Sequence, residues 1–404
     1  MREIINLAGY EYKKILGRKS TWIAFGILIL LVLLCGFGNL MGNFYVEGQK
    51  VDTHYNMNQK ECNALRQMKG QKLDDAFFER ARDVSAEVMN GAKDLQELLV
   101  SKDGWNNYCR YYMPYGHVAE LCMLMEKEMD KMDGESFYKG REELQQVNYE
   151  DMKISKEETE FHRQENARIK TPFAYGNMRG FERFFSLQYS LGIILVFIVA
   201  VCLAPLFAGE YTSKMDQMIL STRYGKNKII LAKLLTGISF ALTLTLAVLG
   251  LTLLEINLIY GLEGWNLPIQ TAYQGFALSI PINMLQMLGI SLLCALFASC
   301  MVAALVMFFS VKMKTPFGVI IVAFLVIFVP MVLLNMVPED SIWYLFVKGT
   351  PTVMMESWVG VSERMIPFGR HCFYYFQAMP VVYACLTAGL FAWSYRSFRC
   401  HQAI

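Results

Sequence analysis

The stretch AGEYTSKMDQMILSTRYGKNKIILAK, Ala208–Lys233, lies between two long apolar runs, 184–207 and 234–259. It carries five basic residues, Lys214, Arg223, Lys226, Lys228 and Lys233, against two acids, Glu210 and Asp216. As a loop between two membrane helices, that basic excess puts it on the cytoplasmic side and fixes the topology of the whole chain. The stretch also has a shape. Gly209-Glu210 follows directly on an apolar helix, and a short amphipathic segment with Met215, Met218 and Ile219 comes next. A Ser-Thr-Arg-Tyr-Gly turn at 221–225 then leads to a basic re-entry. A helix held flat at the membrane surface is what such a protein would present to a soluble partner.

The chain has 404 residues, 54% of them hydrophobic, and the apolar ones are clustered. Uncharged runs at 184–209, 234–254, 264–311 and 315–338 each reach the roughly 20 residues a helix needs to cross a bilayer. The net charge of +2 hides an uneven distribution. Residues 41–183 hold 21 Lys and Arg against 26 Asp and Glu, a balance of −5. The N-terminus, the 209–233 loop, Lys312 with Lys314, and Arg396 with Arg399 together hold 14 basic residues and four acids. Basic and acidic segments alternate along the chain, which implies six crossings with both termini cytoplasmic. The first apolar run lacks a small-residue cleavage site and reads as a retained anchor.

The expected fold is an all-α integral membrane protein with six transmembrane helices, a helical extracytoplasmic domain and an N-terminal interfacial helix. Residues 1–20 place Ile4, Ile5, Ala8, Tyr12, Ile15 and Leu16 at helical spacing, with Glu3, Asn6, Glu11, Lys13 and Lys14 between them. That is the pattern of a helix lying in the interface; a basic flank serving only topology is the plainer alternative. The first crossing spans 21–43. The outer domain, 44–183, has an apolar seam from Asn58 to Val100, an aromatic segment from Trp105 to Met125, and a charged helical stretch from Gly134 to Ile169. It reads as a hairpin-like stalk packed on the aromatic segment, whose rings form a small core and interface belt in preference to a ligand site. The second crossing is 184–207, with Pro205 placed to kink its inner end, and the cytoplasmic loop is 208–233. The third crossing is 234–259. Glu255 near its end is either an intramembrane site or, as the nearby polar loop favours, a carboxylate snorkelling to the interface. An outer loop at 260–280 precedes the fourth crossing, 281–309. There Gly289, Ser291, Ala295, Ala298, Ser299, Ala303 and Ala304 form a close-packing face. A turn at 310–315, the fifth crossing at 316–337, an aromatic outer or re-entrant segment at 338–375, the sixth crossing at 376–395 and a cytoplasmic tail at 396–404 complete the chain.

The sequence offers no catalytic, cofactor-binding or metal site. It has no phosphate-binding glycine loop, no H-E-x-x-H and no G-x-S-x-G. The five histidines are far apart and the ten cysteines scattered, although a bridge between two of Cys62, Cys109 and Cys122 stays open. Acids at membrane depth are nearly absent, which argues against an ion-coupled carrier. If the chain transports, its energy comes from another polypeptide. Nothing points to nucleic acid.

These pieces resemble the permease subunits of type-2 ABC exporters, in the Firmicutes-like branch with a large outer domain between membrane helices 1 and 2. The resemblance rests on Glu11–Ser20, on Pro172-Phe-Ala-Tyr-Gly176, and above all on Phe207-Ala-Gly-Glu210-Tyr, Ile219-Leu-Ser-Thr-Arg223-Tyr-Gly-Lys-Asn-Lys and Ala232-Lys233. It implies a dimer, with the same or a related chain, in a bacterial cell membrane. It also implies a docked ATP-binding subunit that holds the ATP and meets the coupling helix. On that reading Glu210, Tyr211, Met215, Met218 and Arg223 carry the contact with the ATPase. Tyr12, Lys13, Lys14 and Arg18 on the interfacial helix join them, and the basic residues from Lys226 to Lys233 anchor the loop to the inner leaflet. Glu210 would pair with a basic group of the ATPase; the alternative is that it merely caps the following helix. The implied function is ATP-driven export of a peptide, lipid or hydrophobic compound. The competing reading is a sensor or immunity module that binds an extracellular peptide without net transport. An intramembrane enzyme would need clustered His, Glu or Asp at membrane depth, which the sequence does not offer.

Overall fold

The computed structural model describes residues 2–89, 101–222, 224–225, 227–368 and 371–400. The expected seam residues Leu95, Leu98 and Leu99, the loop residues Arg223 and Lys226, and 401–404 of the tail lie outside the described residues.

Among the described residues, six helices are long and apolar enough to cross a membrane. They are α2 (Lys19–Phe37), α8 (Arg179–Leu203), α11 (Lys228–Ile259), α12 (Met284–Lys312), α13 (Pro316–Leu334) and α15 (Tyr375–Arg399). The starts of α12 and α13 are set by capping: the Asn283 side chain accepts from Gln286 N, the Gln286 side chain returns the bond, and Thr315 caps ahead of Pro316. Helix α8 packs against α2, α11, α12 and α13, and α12 against α8, α11, α13 and α15. The polypeptide is therefore an all-α, multi-pass membrane protein.

Helix α11 has 32 residues, about 48 Å of rise, and begins at Lys228. The last six residues of the expected loop are thus its first turns. On α12, Ser291, Ala295, Ala298, Ser299, Ala303 and Ala304 are buried, and Ser299 shares a 2.8 Å hydrogen bond with Thr245 of α11. Gly289 is off this face: a Cβ there would meet open space. Glu255 does not snorkel. It is buried where α2 passes at Gly36, and a Cβ at Gly36 would lie 2.1 Å from the Glu255 carboxyl carbon.

The domain inserted between α2 and α8 is compact, not a stalk. It opens with a hairpin, β1 (Asn43–Val46) and β2 (Gln49–Thr53), turned by Glu47 and Gly48, both at positive φ. Helices α3 (His54–Gln67), α4 (Asp75–Met89), α5 (Lys102–Leu124), α6 (Gly134–Asp151) and α7 (Lys156–Asn166) follow. Helices α6 and α7 each start at a reciprocal cap, Asp133 with Ser136 and Ser155 with Glu158. The aromatics form this domain's core: Phe77 meets Phe78, Tyr115 and Tyr175, and Phe137 meets Phe78 and Tyr138. Cys62, Cys109 and Cys122 are free thiols.

This domain is tied to the links between the later spans. Arg141, 3% exposed, donates to the Phe276 carbonyl at 2.7 Å and the Leu278 carbonyl at 2.8 Å. Gln145 donates to the Ala277 carbonyl at 2.6 Å, and Tyr149 and Ser279 share a 2.6 Å bond. The segment after α13 holds α14 (Ile342–Lys348) and a hairpin, β3 (Ile366–Phe368) with β4 (His371–Phe373). Between them, Val353, Met354 and Met355 bury completely beside α8 and α12. Gln188 of α8 donates to the Met355 carbonyl at 3.3 Å.

Candidate functional site: an ion cluster behind a short surface helix

On the face opposite the inserted domain, α8 stops where the sequence reaches Ala204-Pro205-Leu206, which forms one 3-10 turn. Proline cannot continue the helical hydrogen bonding, so the last carbonyls of α8 need other donors. Side chains brought from elsewhere supply donors to the Cys202 carbonyl of α8 and to the three carbonyls of the turn. Ser310 of α12 donates to the Ala204 carbonyl at 2.7 Å and accepts from the backbone N–H groups of Phe207 and Ala208 at 3.0 Å. Arg18 reaches the Cys202 and Pro205 carbonyls at 3.4 Å. Lys233 donates to the Leu206 carbonyl at 2.8 Å. Two cations thus sit at the negative end of the α8 dipole.

Lys233 is the centre of the site. It is fully buried on α11, with its ammonium 2.6 Å from Glu210 and 3.0 Å from Glu11. Lys14 bridges the same two carboxylates at 2.8 Å (Glu11) and 3.1 Å (Glu210). The four side chains come from three places: α1 (Arg2–Leu16), α9 (Ala208–Thr212) and α11. Two lysines and two glutamates balance, which is the condition for burying charge at tolerable cost. Burial alone would raise the Glu11 pKa, but Lys233 and Lys14 outweigh it and hold the carboxyl below its ordinary value. Lys14 is likewise held above its ordinary value by Glu11 and Glu210 against the opposing effect of burial.

Helix α1 lies along α11, where the Tyr12 hydroxyl donates to Ser239 at 2.8 Å. Lys13 points away and rests over the Tyr10 ring at 5.7 Å. After α9, Lys214 takes a left-handed conformation and the chain turns into α10 (Met215–Ser221). Met215 is 47% and Met218 70% exposed on that short helix. Lys228, at the start of α11, is ion-paired with Glu3 of α1.

The site residues expected from sequence therefore divide. Met215 and Met218 are at the surface. Glu210, 6% exposed, faces inward onto two lysines of its own chain, so it is not available to a basic group on another subunit. Tyr211 also points inward, its hydroxyl donating to the Val311 carbonyl at 3.1 Å. Lys233 is an internal partner and not a lipid anchor, because a buried ammonium with two carboxylates has no route to headgroups. Arg223 lies outside the described residues. Sequence reasoning missed the pairing of Lys233 with Glu11, yet both residues carry a signal. Lys233 stands inside the apolar run Ile229–Leu235, and Glu11 falls three residues after Ala8 and four before Ile15, on the buried stripe of α1. Two opposite charges on apolar faces call for each other.

The family described as "ABC-2 family transporter protein" matches residues 5–342. No curated protein and no solved structure gives a significant match.

Proposed function

The chain belongs to the ABC-2 transporter family, and from that premise we propose that it is the membrane-spanning subunit of an ATP-driven exporter. Membership implies partnership with an ATP-binding subunit. In this reading the face carrying α1, α9 and α10 is cytoplasmic, both termini lie on that side, and the inserted domain is outside. The ATPase docks on α10, with Met215 and Met218 as the apolar contacts, and the permease works as a pair with a second copy or a related chain.

The observation that carries the reading is the buried cluster directly behind α10. A force applied to α10 reaches α9 through one turn, and Glu210 of α9 is held by Lys233 of α11 and Lys14 of α1. Glu210 thus acts as a link inside the permease, between the docking surface and the ends of α8 and α11. The test is co-purification of the chain with a candidate ATP-binding subunit that carries a P-loop. Met218→Asp should lose the ATPase while the permease stays folded in detergent. Undiminished co-purification and transport by that variant would reject α10 as the docking element.

One observation favours a second reading. The inserted domain is clasped to the link between α11 and α12 by Arg141 and Gln145, which gives a peptide bound outside a path into the spans. In this sensor or immunity reading the bound peptide drives signalling without net movement of substrate. Vesicle transport assays separate the two: ATP-dependent accumulation of a substrate favours export, and peptide-stimulated ATP hydrolysis without accumulation favours the sensor.

A further inference from the structure

A cavity of about 410 Å³ lies where the inserted domain meets the spans. Its floor is built from Asn39 and Leu40 after α2, Arg179, Glu182, Arg183 and Ser186 of α8, and Tyr260 after α11; residues of β1 and α3 roof it. The size is that of a small-ligand site. A second cavity of about 240 Å³ shares Arg179, Glu182 and Ser186 with it.

The cavity is lined by two arginines, Arg179 and Arg183, and two glutamates, Glu61 and Glu182. Arg179 is paired with Glu61 at 3.1 Å. Glu182 faces His117 at 3.6 Å and accepts from Tyr273 N at 3.3 Å. Arg183 has no carboxylate within ion-pair distance among the described residues. It donates to the Cys35 carbonyl at 2.8 Å, and the Asn39 amide oxygen, oriented by its neighbours, accepts from it at 3.0 and 3.1 Å. Its Nε has no partner, and neither does the Asn58 side-chain nitrogen of the same cavity. Glu255 faces Arg183 through space, but neither of its carboxylate oxygens is hydrogen-bonded, so it does not fill the open donor. The lining thus holds two unfilled donors, the Arg183 Nε and the Asn58 amide nitrogen.

We propose that this cavity binds the anionic head group of a membrane phospholipid, with Arg183 as the anchor and Asn58 as a second donor. A planar guanidinium suits a phosphoryl group. The position selects a lipid over a free anion. The cavity is level with the end of α2, whose neighbouring face exposes Leu30, Leu33, Leu34 and Phe37 where acyl chains would run. Ser186 is exposed and lines both cavities, so the head group has a way in from the side of α8. The assignment of leaflet rests on the topology proposed above; the site itself does not.

The test uses the permease with its ATPase in bilayer nanodiscs of phosphatidylcholine with and without phosphatidylglycerol. Retained lipid is counted by native mass spectrometry, and hydrogen exchange is followed over 54–61 and 179–186. The wild type should retain phosphatidylglycerol and gain protection in both segments. Arg183→Gln should lower that retention about tenfold, the scale of one lost charge-assisted contact. Because Arg183 also bonds the Cys35 carbonyl, Ser186→Asp provides a second arm that removes no internal bond, and it should lower retention as well. Equal retention by the wild type and both variants would overturn the site. Protection by inorganic phosphate in pure phosphatidylcholine, with no gain from phosphatidylglycerol, would overturn its assignment to lipid. ATP hydrolysis by the same samples reports separately on the transporter reading.

Discussion

The two faces of the bundle are held together by different chemistry. On the inserted-domain face, Arg141, Gln145 and Tyr149 bond the 276–279 link, mostly through its backbone carbonyls. On the opposite face, Glu11, Lys14, Glu210 and Lys233 bond side chain to side chain across three elements. A backbone carbonyl is fixed by its chain, so donors aimed at it hold one geometry. Carboxylates and ammonium groups on flexible stems can exchange partners, and a network of four tolerates displacement of its parts. The first arrangement suits a body that moves as a unit. The second suits a joint.

That contrast can be broken by substitution, and the largest effect is expected at the fixed face. Arg141→Ala removes a buried cation that bonds two carbonyls and Asn166. Each charge-assisted bond is worth about 1.5–3 kcal/mol, so thermal unfolding should show a loss of roughly 3–5 kcal/mol. Hydrogen exchange over 276–279 should rise with it. At the joint, Lys233→Met leaves Glu11 and Glu210 with Lys14 alone, and the expected loss is about 3 kcal/mol. A double-mutant cycle of Lys233→Met with Glu210→Gln should give a coupling of about 1–3 kcal/mol.

Titration gives a smaller and more graded effect. Glu363 beside the fixed face is buried, and burial pushes its pKa up to about 7. Between its unfolded pKa, about 4.3, and about 7 the folded state binds the extra proton. Stability should therefore fall as pH rises through that window, by at most about 1.4 kcal/mol per pH unit. Glu363→Gln should flatten this slope. Glu11, held below its ordinary value by two lysines, has the opposite sign. Its contribution is present at neutral pH and is lost as pH falls through its depressed pKa. The smallest effect on stability is expected at Met218. Met218→Ser on the surface should change it by less than about 0.5 kcal/mol while weakening ATPase association, and a titration of complex formation would show it.

Much of the fold was legible because hydrocarbon imposes a simple rule, and six apolar runs flanked by alternating charge satisfy it. Boundaries were less legible where a charged residue sits inside a helix: Lys228 and Lys233 read as loop because lysine at a membrane edge is ordinarily solvated. The inserted domain was legible as helical, but its packing was not. Its core is built from aromatics distant in sequence, Phe77 with Tyr115 and Tyr175 among them, and long-range pairing leaves no local period. The candidate site was half legible. Met215 and Met218 were placed by amphipathic spacing on one short helix. Glu210 was singled out but given a neighbour on another subunit, because its partners Lys14 and Lys233 lie 196 and 23 residues away in its own chain.

The central claim is that the Glu210–Lys233 pair passes motion from the docking helix to the spans. Neutralising the pair in the reconstituted permease–ATPase complex tests it most directly, with substrate-dependent ATP hydrolysis as the readout and co-purification as the check on assembly. Lys233→Met should leave the complex assembled and uncouple hydrolysis from substrate, and adding Glu210→Gln should uncouple it no further. Full coupling in the single variant, or losses that simply add in the double variant while the complex remains assembled, would contradict the account.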